Sequence, residues 1–137
     1  MKIKLINFNY EQAPFRAHDN DAGADVYAPI NMLIRAGRTE VLPLGFGVEI
    51  PDGYVGFIYP RSGLSAKGVV CELPPIDSTY RGQIHAIITN HSCDDVQIKK
   101  GDRVGQLVVM PCAIPDFVTE IDAEGNRDQG AFGSTGK

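Results

Sequence analysis

Glycine and proline interrupt this chain every few residues: 15 glycines and 9 prolines are spread over 137 positions. Residues that favour strands, the β-branched and aromatic ones, fill the gaps, so short strands joined by tight turns are expected rather than long helices. "KIKLIN" alternates Lys2 and Lys4 with Ile3 and Leu5, and "YVGFIYP" sets Val55, Phe57 and Tyr59 on one parity, as a half-buried strand would. "GQIHAIITN" and "RVGQLVVMP" are more continuously apolar and read as inner strands. "IPDGY" lies between two such runs as a turn, with Gly53 free to take a positive φ. Helical signal is confined to "RSGLSAKG", a short helix expected to have Ser62 as N-cap and Gly68 as its stop. An all-β class follows, with strands wrapped on themselves as a barrel or jelly roll so that few edges stay open.

Length and charge narrow the field further. A chain of 137 residues supports one domain with a real core. Residues 1–120 are expected to form that core, with 121–137 as a mobile arm. The apolar share of 43% and charged share of 22% are those of an ordinary globular protein. No apolar run approaches the roughly 20 residues that cross a bilayer, and "MKIKLINFNY" lacks the apolar stretch and cleavage site of a signal peptide. A cytoplasmic protein without membrane contact is expected. Cys71, Cys93 and Cys112 cannot all pair within the chain and form no Cys-x-x-Cys, which argues for reduced thiols. His91 beside Cys93 lacks further ligands at zinc spacing. A formal net charge of −4 speaks against a nucleic-acid binder, so an anionic ligand would have to meet local cations.

Several stretches hold polar residues that structure alone does not demand. "DAGADVYAP" places Asp21 and Asp25 around a glycine. Asp25 suits a loop, or a hard divalent cation that is bound mainly by phosphate oxygens and waters and needs one carboxylate through a bridging water. "PRSGLSAKG" joins Arg61 to Ser62 and Gly63 at a helix start, either an ordinary cap or a phosphate site. "PPIDSTYRG" puts Asp77 beside Ile76, where a turn is the plain alternative. "RVGQLVV" buries Gln106 in an apolar strand. The closing "RDQGAFGSTGK" suits a frayed end, or an anion cradle in which glycines turn backbone N–H groups toward oxygens while Ser134 and Thr135 donate hydroxyls.

In order and at nearly the same intervals, "DAGADV", "PRSGL", "IDSTYRG", "GDRVGQL" and "GAFGSTG" match the five motifs of the trimeric deoxyuridine triphosphate nucleotidohydrolases, the dUTPases. The chain resembles that family from Ala22 to Gly136. The resemblance implies a distorted jelly-roll or β-barrel subunit of the β-clip type. It further implies a homotrimer, with each site built from three chains: Asp25, Arg61 to Gly63 and Gln106 from one, the hairpin around Asp77 from a second, and the C-terminal arm from a third. The implied reaction is hydrolysis of dUTP to dUMP and pyrophosphate with Mg2+, which limits uracil in DNA and supplies dUMP for dTMP synthesis.

Roles carry over by position. Asp77 matches the general base that deprotonates the water attacking the α-phosphorus. Asp25 matches the carboxylate that holds Mg2+ through a water. Arg61, Ser62, Gly63 and Gln106 match phosphate ligands, joined by Arg127, Gly133, Ser134 and Thr135 from the arm. Phe132 matches the aromatic that stacks on uracil, and Tyr80 the ring that packs on the sugar and refuses a 2′-hydroxyl. Uracil would be told from cytosine by its N3–H donor and O4 acceptor, read by fixed groups of the hairpin.

The chain departs from the family pattern in places. Pro74 and Pro75 stand where a glycine and a small apolar residue are usual, and proline has no N–H. The Pro74 carbonyl could accept from N3–H, while donors to the base would come from Ile76, or from Gln83 and Ile84 across the hairpin. The stretch from Arg61 to Asp77 is slightly short. Thr79 replaces an acid, and Asp128 and Ala131 replace glycines in the arm. Two rival functions stay open: a dCTP deaminase using Glu72, and a nucleotide-gated regulatory module, of phage origin, with a protein partner.

Overall fold

The computed structural model describes residues 1–120, so the expected arm at 121–137 lies outside the described residues. Ten short strands and one helical turn follow in chain order. The first strands are β1 (Leu5–Asn7), β2 (Ala24–Tyr27), β3 (Met32–Ile34), β4 (Thr39–Pro43) and β5 (Phe46–Val48). Next come β6 (Tyr54–Tyr59), α1 (Ser62–Ser65) and β7 (Val69–Cys71). The chain then forms β8 (His85–Asn90), β9 (Val96–Ile98) and β10 (Arg103–Pro111). The all-β expectation holds. The strands pair in four small antiparallel sheets, β1-β5, β2-β10-β6, β3-β9 and β4-β8-β7, wrapped around one core rather than closed into one continuous ladder. No helix among the described residues is long and apolar enough to cross a membrane.

The two most continuously apolar segments occupy the sheet centres. β10 lies between β2 and β6, and β8 between β4 and β7, where both edges of a strand are paired and both faces have neighbours. Ala86 and Ile88 of β8 and Val104 of β10 are fully buried with Ile34, Leu42, Phe46 and Val48. Tyr10 meets Phe46 edge to face at 6.5 Å, a favoured aromatic geometry. The core also takes in two uncharged polar residues, Thr89 and Asn90. Asn90 is wholly buried, and its amide donates to Ile34 O at 3.0 Å and Asp94 O at 2.7 Å while its carbonyl accepts from Ser92 N and Oγ. A fully satisfied amide of this kind ties β8 to β3 and the turn that follows.

Local expectations are met unevenly. Gly53 takes φ +82° in the turn before β6, and β1 starts two residues after the first apolar position of its alternating segment. In β6 the half-buried parity is indeed Val55, Phe57 and Tyr59, but the core receives the other one, Gly56 and Ile58. Gly56 is there for close approach: a Cβ would stand 2.7 Å from Ile50 Cδ1. The helix expectation needs two corrections. Arg61, extended at φ −83° and ψ 142°, is the N-cap in place of Ser62, and no side chain caps the turn. The helix stops at Ser65, and Gly68, at φ +83°, turns the chain into β7.

Candidate active site

Strand pairing gathers the dispersed polar residues. Gln106 of β10 stands opposite Asp25 of β2 on one side and Tyr59 of β6 on the other. Two residues beyond Tyr59 come Arg61 and the start of α1. The result is a polar cavity of about 340 Å³ bordered by Asp25, Arg61, Ser62, Arg103 and Gln106. Gly23 also borders it, and its lack of a side chain makes room for Gln106: a Cβ there would lie 2.5 Å from Gln106 Oε1 and 2.7 Å from Gln106 Cβ. Gln106 is half-buried rather than buried as its apolar strand suggested. Gly63 lies one residue along in α1, and a Cβ there would meet nothing within 4 Å, so no neighbour among the described residues demands that glycine. The backbone N–H groups of Ser62, Gly63 and Leu64, in the first turn, have no intrahelical acceptor, and they extend the donor set of Arg61 and Ser62.

Arg103 is the residue that sequence reasoning missed. Its guanidinium lies 3.4 Å from Asp25 Oδ2, and its carbonyl accepts from Arg61 Nη1 at 3.3 Å. In a regular strand, residues three apart point to opposite faces, so Arg103 and Gln106 should diverge. A register shift between Arg103 and Gly105 inserts one extra residue and sets Arg103 opposite Tyr27, two residues from Asp25. The bulge thus brings both side chains to one face. The signal available in sequence was a cation three residues before Gln106, but the bulge itself had none.

The hairpin after β7 builds a second cavity of about 210 Å³, bordered by Glu72, Pro74, Ile76, Asp77, Tyr80 and His85. Ile76 anchors it: its N–H donates to Gly56 O at 2.8 Å and its carbonyl accepts from Gly56 N at 3.1 Å. The chain then turns outward, with Tyr80 N–H donating to Asp77 O at 3.0 Å, and leaves the Asp77 side chain exposed. The Tyr80 hydroxyl donates to Gln83 O at 2.7 Å, which folds its ring over Gly82. Glu72 accepts from Thr89 Oγ1 at 2.9 Å. The expected base donors need correction: the Ile76 N–H is used by Gly56 O, and the Ile84 N–H by Phe46 O at 2.8 Å. The two cavities share no bordering residue. Arg127, Phe132, Gly133, Ser134 and Thr135 lie outside the described residues.

Among the described residues no group of three or more His, Cys, Asp or Glu side chains is placed to cage a metal. What the polar cavity offers a cation is Asp25, whose side chain is 15% exposed, and Asp21, whose Oδ2 accepts from His18 N–H at 2.9 Å. That donor set fits a hydrated Mg2+ whose remaining ligands are phosphate oxygens and waters.

An all-β domain that keeps cations, a guarded carboxylate and free N–H groups in one cavity and an exposed aspartate beside an apolar one belongs with the nucleotide-directed hydrolases. The dUTPase family model matches residues 9–136, and the chain belongs to that family. The deoxyuridine 5'-triphosphate nucleotidohydrolase of Corynebacterium glutamicum is 38% identical, over 98% of this chain and 95% of its own length. That of Clostridium tetani is 37% identical, over 100% and 97%. Among solved structures, the dUTPase of Staphylococcus bacteriophage 80alpha with dUpNHpp superposes with a TM-score of 0.89 at 26% identity, covering 99% of both chains. A mutant dUTPase of phage phi11 of S. aureus, described for its coordination of a structural Mg(II) ion, gives 0.81 at 25% identity, over 90% of this chain and 99% of its own.

Proposed function

We propose that the chain hydrolyses dUTP to dUMP and pyrophosphate, in the cytoplasm, as a homotrimer whose active sites are shared between chains. One observation carries this reading: Asp25, Arg61, Ser62 and Gln106, named separately from dispersed points of the sequence, border a single polar cavity. The cavity can take a triphosphate. Arg61 offers a charge-assisted donor fork, Ser62 and the N–H groups of the first turn of α1 add neutral donors, and the Gln106 amide reaches in from β10. Arg103 faces the same space and offsets the charge of Asp25. Mg2+, when bound, neutralises triphosphate charge, and Asp25 would hold it through a water.

Asp77 acts on water. Its exposed carboxylate accepts a proton as the water oxygen bonds to the α-phosphorus, and the α-phosphorus to bridging-oxygen bond breaks as pyrophosphate leaves. Tyr80 lies against the sugar, and the Pro74 carbonyl accepts from uracil N3–H. Because the polar cavity and the hairpin cavity have no bordering residue in common, a substrate spanning both sets of groups is best served by two chains. The arm at 121–137 of a third would then close over it, with Arg127, Gly133, Ser134 and Thr135 on phosphates and Phe132 on the base. Three free thiols, two of them exposed, suit a reducing compartment.

Pyrophosphate release from dUTP, measured beside dCTP, dTTP and UTP, tests reaction and selectivity together, and light scattering on the same sample should give about three times 14.9 kDa. Preference for dUTP is expected; ammonia released from dCTP would instead favour the deaminase alternative, in which Glu72 of the hairpin cavity serves the base. A regulatory role is a separate matter. The phage 80alpha dUTPase is described as controlling transfer of virulence genes, and a partner for this chain would be sought by co-purification with and without nucleotide.

A further inference from the structure

Asp21 borders the polar cavity together with His18, Asp25, Arg61 and Arg103, and its carboxylate is held by one oxygen. Asp21 Oδ2 accepts from the His18 N–H at 2.9 Å and from the His18 imidazole Nδ1 at 3.1 Å. The main chain closes the same turn: the Asp21 N–H donates to His18 O at 3.0 Å, and Asp21 O accepts from Arg16 Nε at 2.8 Å. Oδ1 makes no hydrogen bond among the described residues, and the side chain is 43% exposed. Asp25 is the more enclosed carboxylate, and the Arg103 guanidinium stands 3.4 Å from its Oδ2. A Mg2+ held by phosphate oxygens keeps several of its octahedral waters and takes one or two carboxylates. Each water has two hydrogens to place, and Asp25, with one oxygen turned to a guanidinium, can accept only some of them. Among the described residues no three His, Cys, Asp or Glu side chains are placed to cage a bare ion, so a second carboxylate here would meet the waters of the cation rather than the cation itself.

We propose that Asp21 is a second outer carboxylate for the hydrated Mg2+ of the nucleotide, its Oδ1 accepting from a water of the cation, and that His18 is the positioning residue that occupies Oδ2 and leaves Oδ1 to the cavity. This rests on the reading that the polar cavity takes Mg2+ with a triphosphate. The turn is built for the task, since His18 grips the carboxylate with both its main chain and its ring, and a carboxylate gripped at one oxygen has a fixed direction at the other. Outer groups of this kind, hydrogen-bonded in turn by a further partner, are how proteins orient what surrounds a metal, and losing one weakens metal binding by roughly 10–100-fold.

Binding of Mn2+, in place of Mg2+, to the protein saturated with a non-hydrolysable dUTP analogue separates this role from turnover and is read by electron paramagnetic resonance. Mn2+ affinity should be about tenfold weaker in Asp21→Asn, while the analogue binds no more weakly in the absence of metal. Asparagine keeps an oxygen for the His18 N–H, so the turn survives the change. Asp19→Asn removes the same charge from an exposed position off the cavity wall, and should leave Mn2+ affinity within about twofold of wild type, as a solvent-screened charge does. His18→Ala should weaken Mn2+ binding too, yet add nothing in an Asp21→Asn background, because it acts through that carboxylate. An Asp21→Asn affinity within about twofold of wild type, or an equal loss in Asp19→Asn, overturns the proposal, and additive losses in the double variant remove His18 from it. Wild-type protein that holds the analogue but no Mn2+ would refute the reading of the cavity as a Mg2+ site, and the role of Asp21 with it.

Discussion

Gly82→Ala separates what the Tyr80 ring does for stability from what it does for selection. A Cβ at position 82 would stand 2.5 Å from Tyr80 Cζ and 2.9 Å from Cε1, well inside contact distance. Those atoms are the far end of a side chain that is 43% exposed, so the ring can swing outward and the backbone need not move. The swing breaks the hydroxyl bond to Gln83 O, a loss of about 0.5–1.5 kcal/mol for a neutral, exposed pair. Replacing glycine by alanine returns about 0.4–1 kcal/mol by restricting the unfolded chain. The net cost is therefore at most about 1 kcal/mol, a fall in Tm of roughly 4 °C or less for a domain of this size. Selection should change more, because the displaced ring no longer lies against the sugar: the preference for dUTP over UTP should fall roughly tenfold, about 1.4 kcal/mol. Tyr80→Phe is the control, since it loses the same hydrogen bond but keeps the ring over Gly82 and so should keep the preference. Thermal unfolding and paired dUTP and UTP rates decide it. An unchanged preference in Gly82→Ala would remove Tyr80 from sugar selection, and a Tm loss beyond about 10 °C would show that backbone, not the ring, absorbs the clash.

Asp77→Asn should leave binding of a non-hydrolysable dUTP analogue intact while pyrophosphate release falls by roughly 10² or more, since an amide can position water but cannot take its proton; wild-type rates would exclude Asp77 as the base. Removing residues 127–137 should preserve the melting curve and the trimer yet abolish most turnover, because charge-assisted contacts of about 1.5–3 kcal/mol each would go with Arg127 and its neighbours; unaffected hydrolysis would make the segment a frayed end. Burial, followed by the charge of Glu72, pushes the Cys71 thiol up to about 11 from 9.0. The folded state then holds this proton more tightly than the unfolded one, so stability from this group is present below pH 9 and lost as pH rises toward 11. At about pH 8, below the ordinary thiol range, a disulfide reagent should titrate Cys93 and Cys112 quickly and reach Cys71 only on unfolding; three equally fast thiols would contradict that burial.

How much of this could be read from the chain depends on whether the determinant is local. The inner positions of β8 and β10 were legible because a strand paired on both edges and packed on both faces is a nearly continuous apolar run, and both segments read as such runs. Gly53 was legible because its turn conformation is set by its own φ. The core parity of β6 was not, since both parities are apolar and only the packing of Gly56 on Ile50 and of Ile58 on the interior distinguishes them. The caps of α1 failed for a similar reason: four residues held by tertiary contacts need no side-chain cap, so the preference for serine had no force.

The site shows the same division more sharply. Residue types suited to phosphate, metal and water could be picked out singly, and motif order tied them to one family, but neither says which of them meet. Asp25, Arg61, Ser62 and Gln106 meet because β10 pairs with β2 and β6 together, a contact between segments about 80 residues apart in the case of Asp25 and Gln106. Arg103 joins them through a single extra residue in the ladder, invisible in a pattern that assumes a period of two. Asp77 stays with the hairpin, because Ile76 is pinned to Gly56 and the turn that follows faces outward. Among the described residues strand pairing builds one cavity and the hairpin the other, with no bordering residue in common, and that separation, rather than any motif, is what favours the proposed sharing of the site between chains.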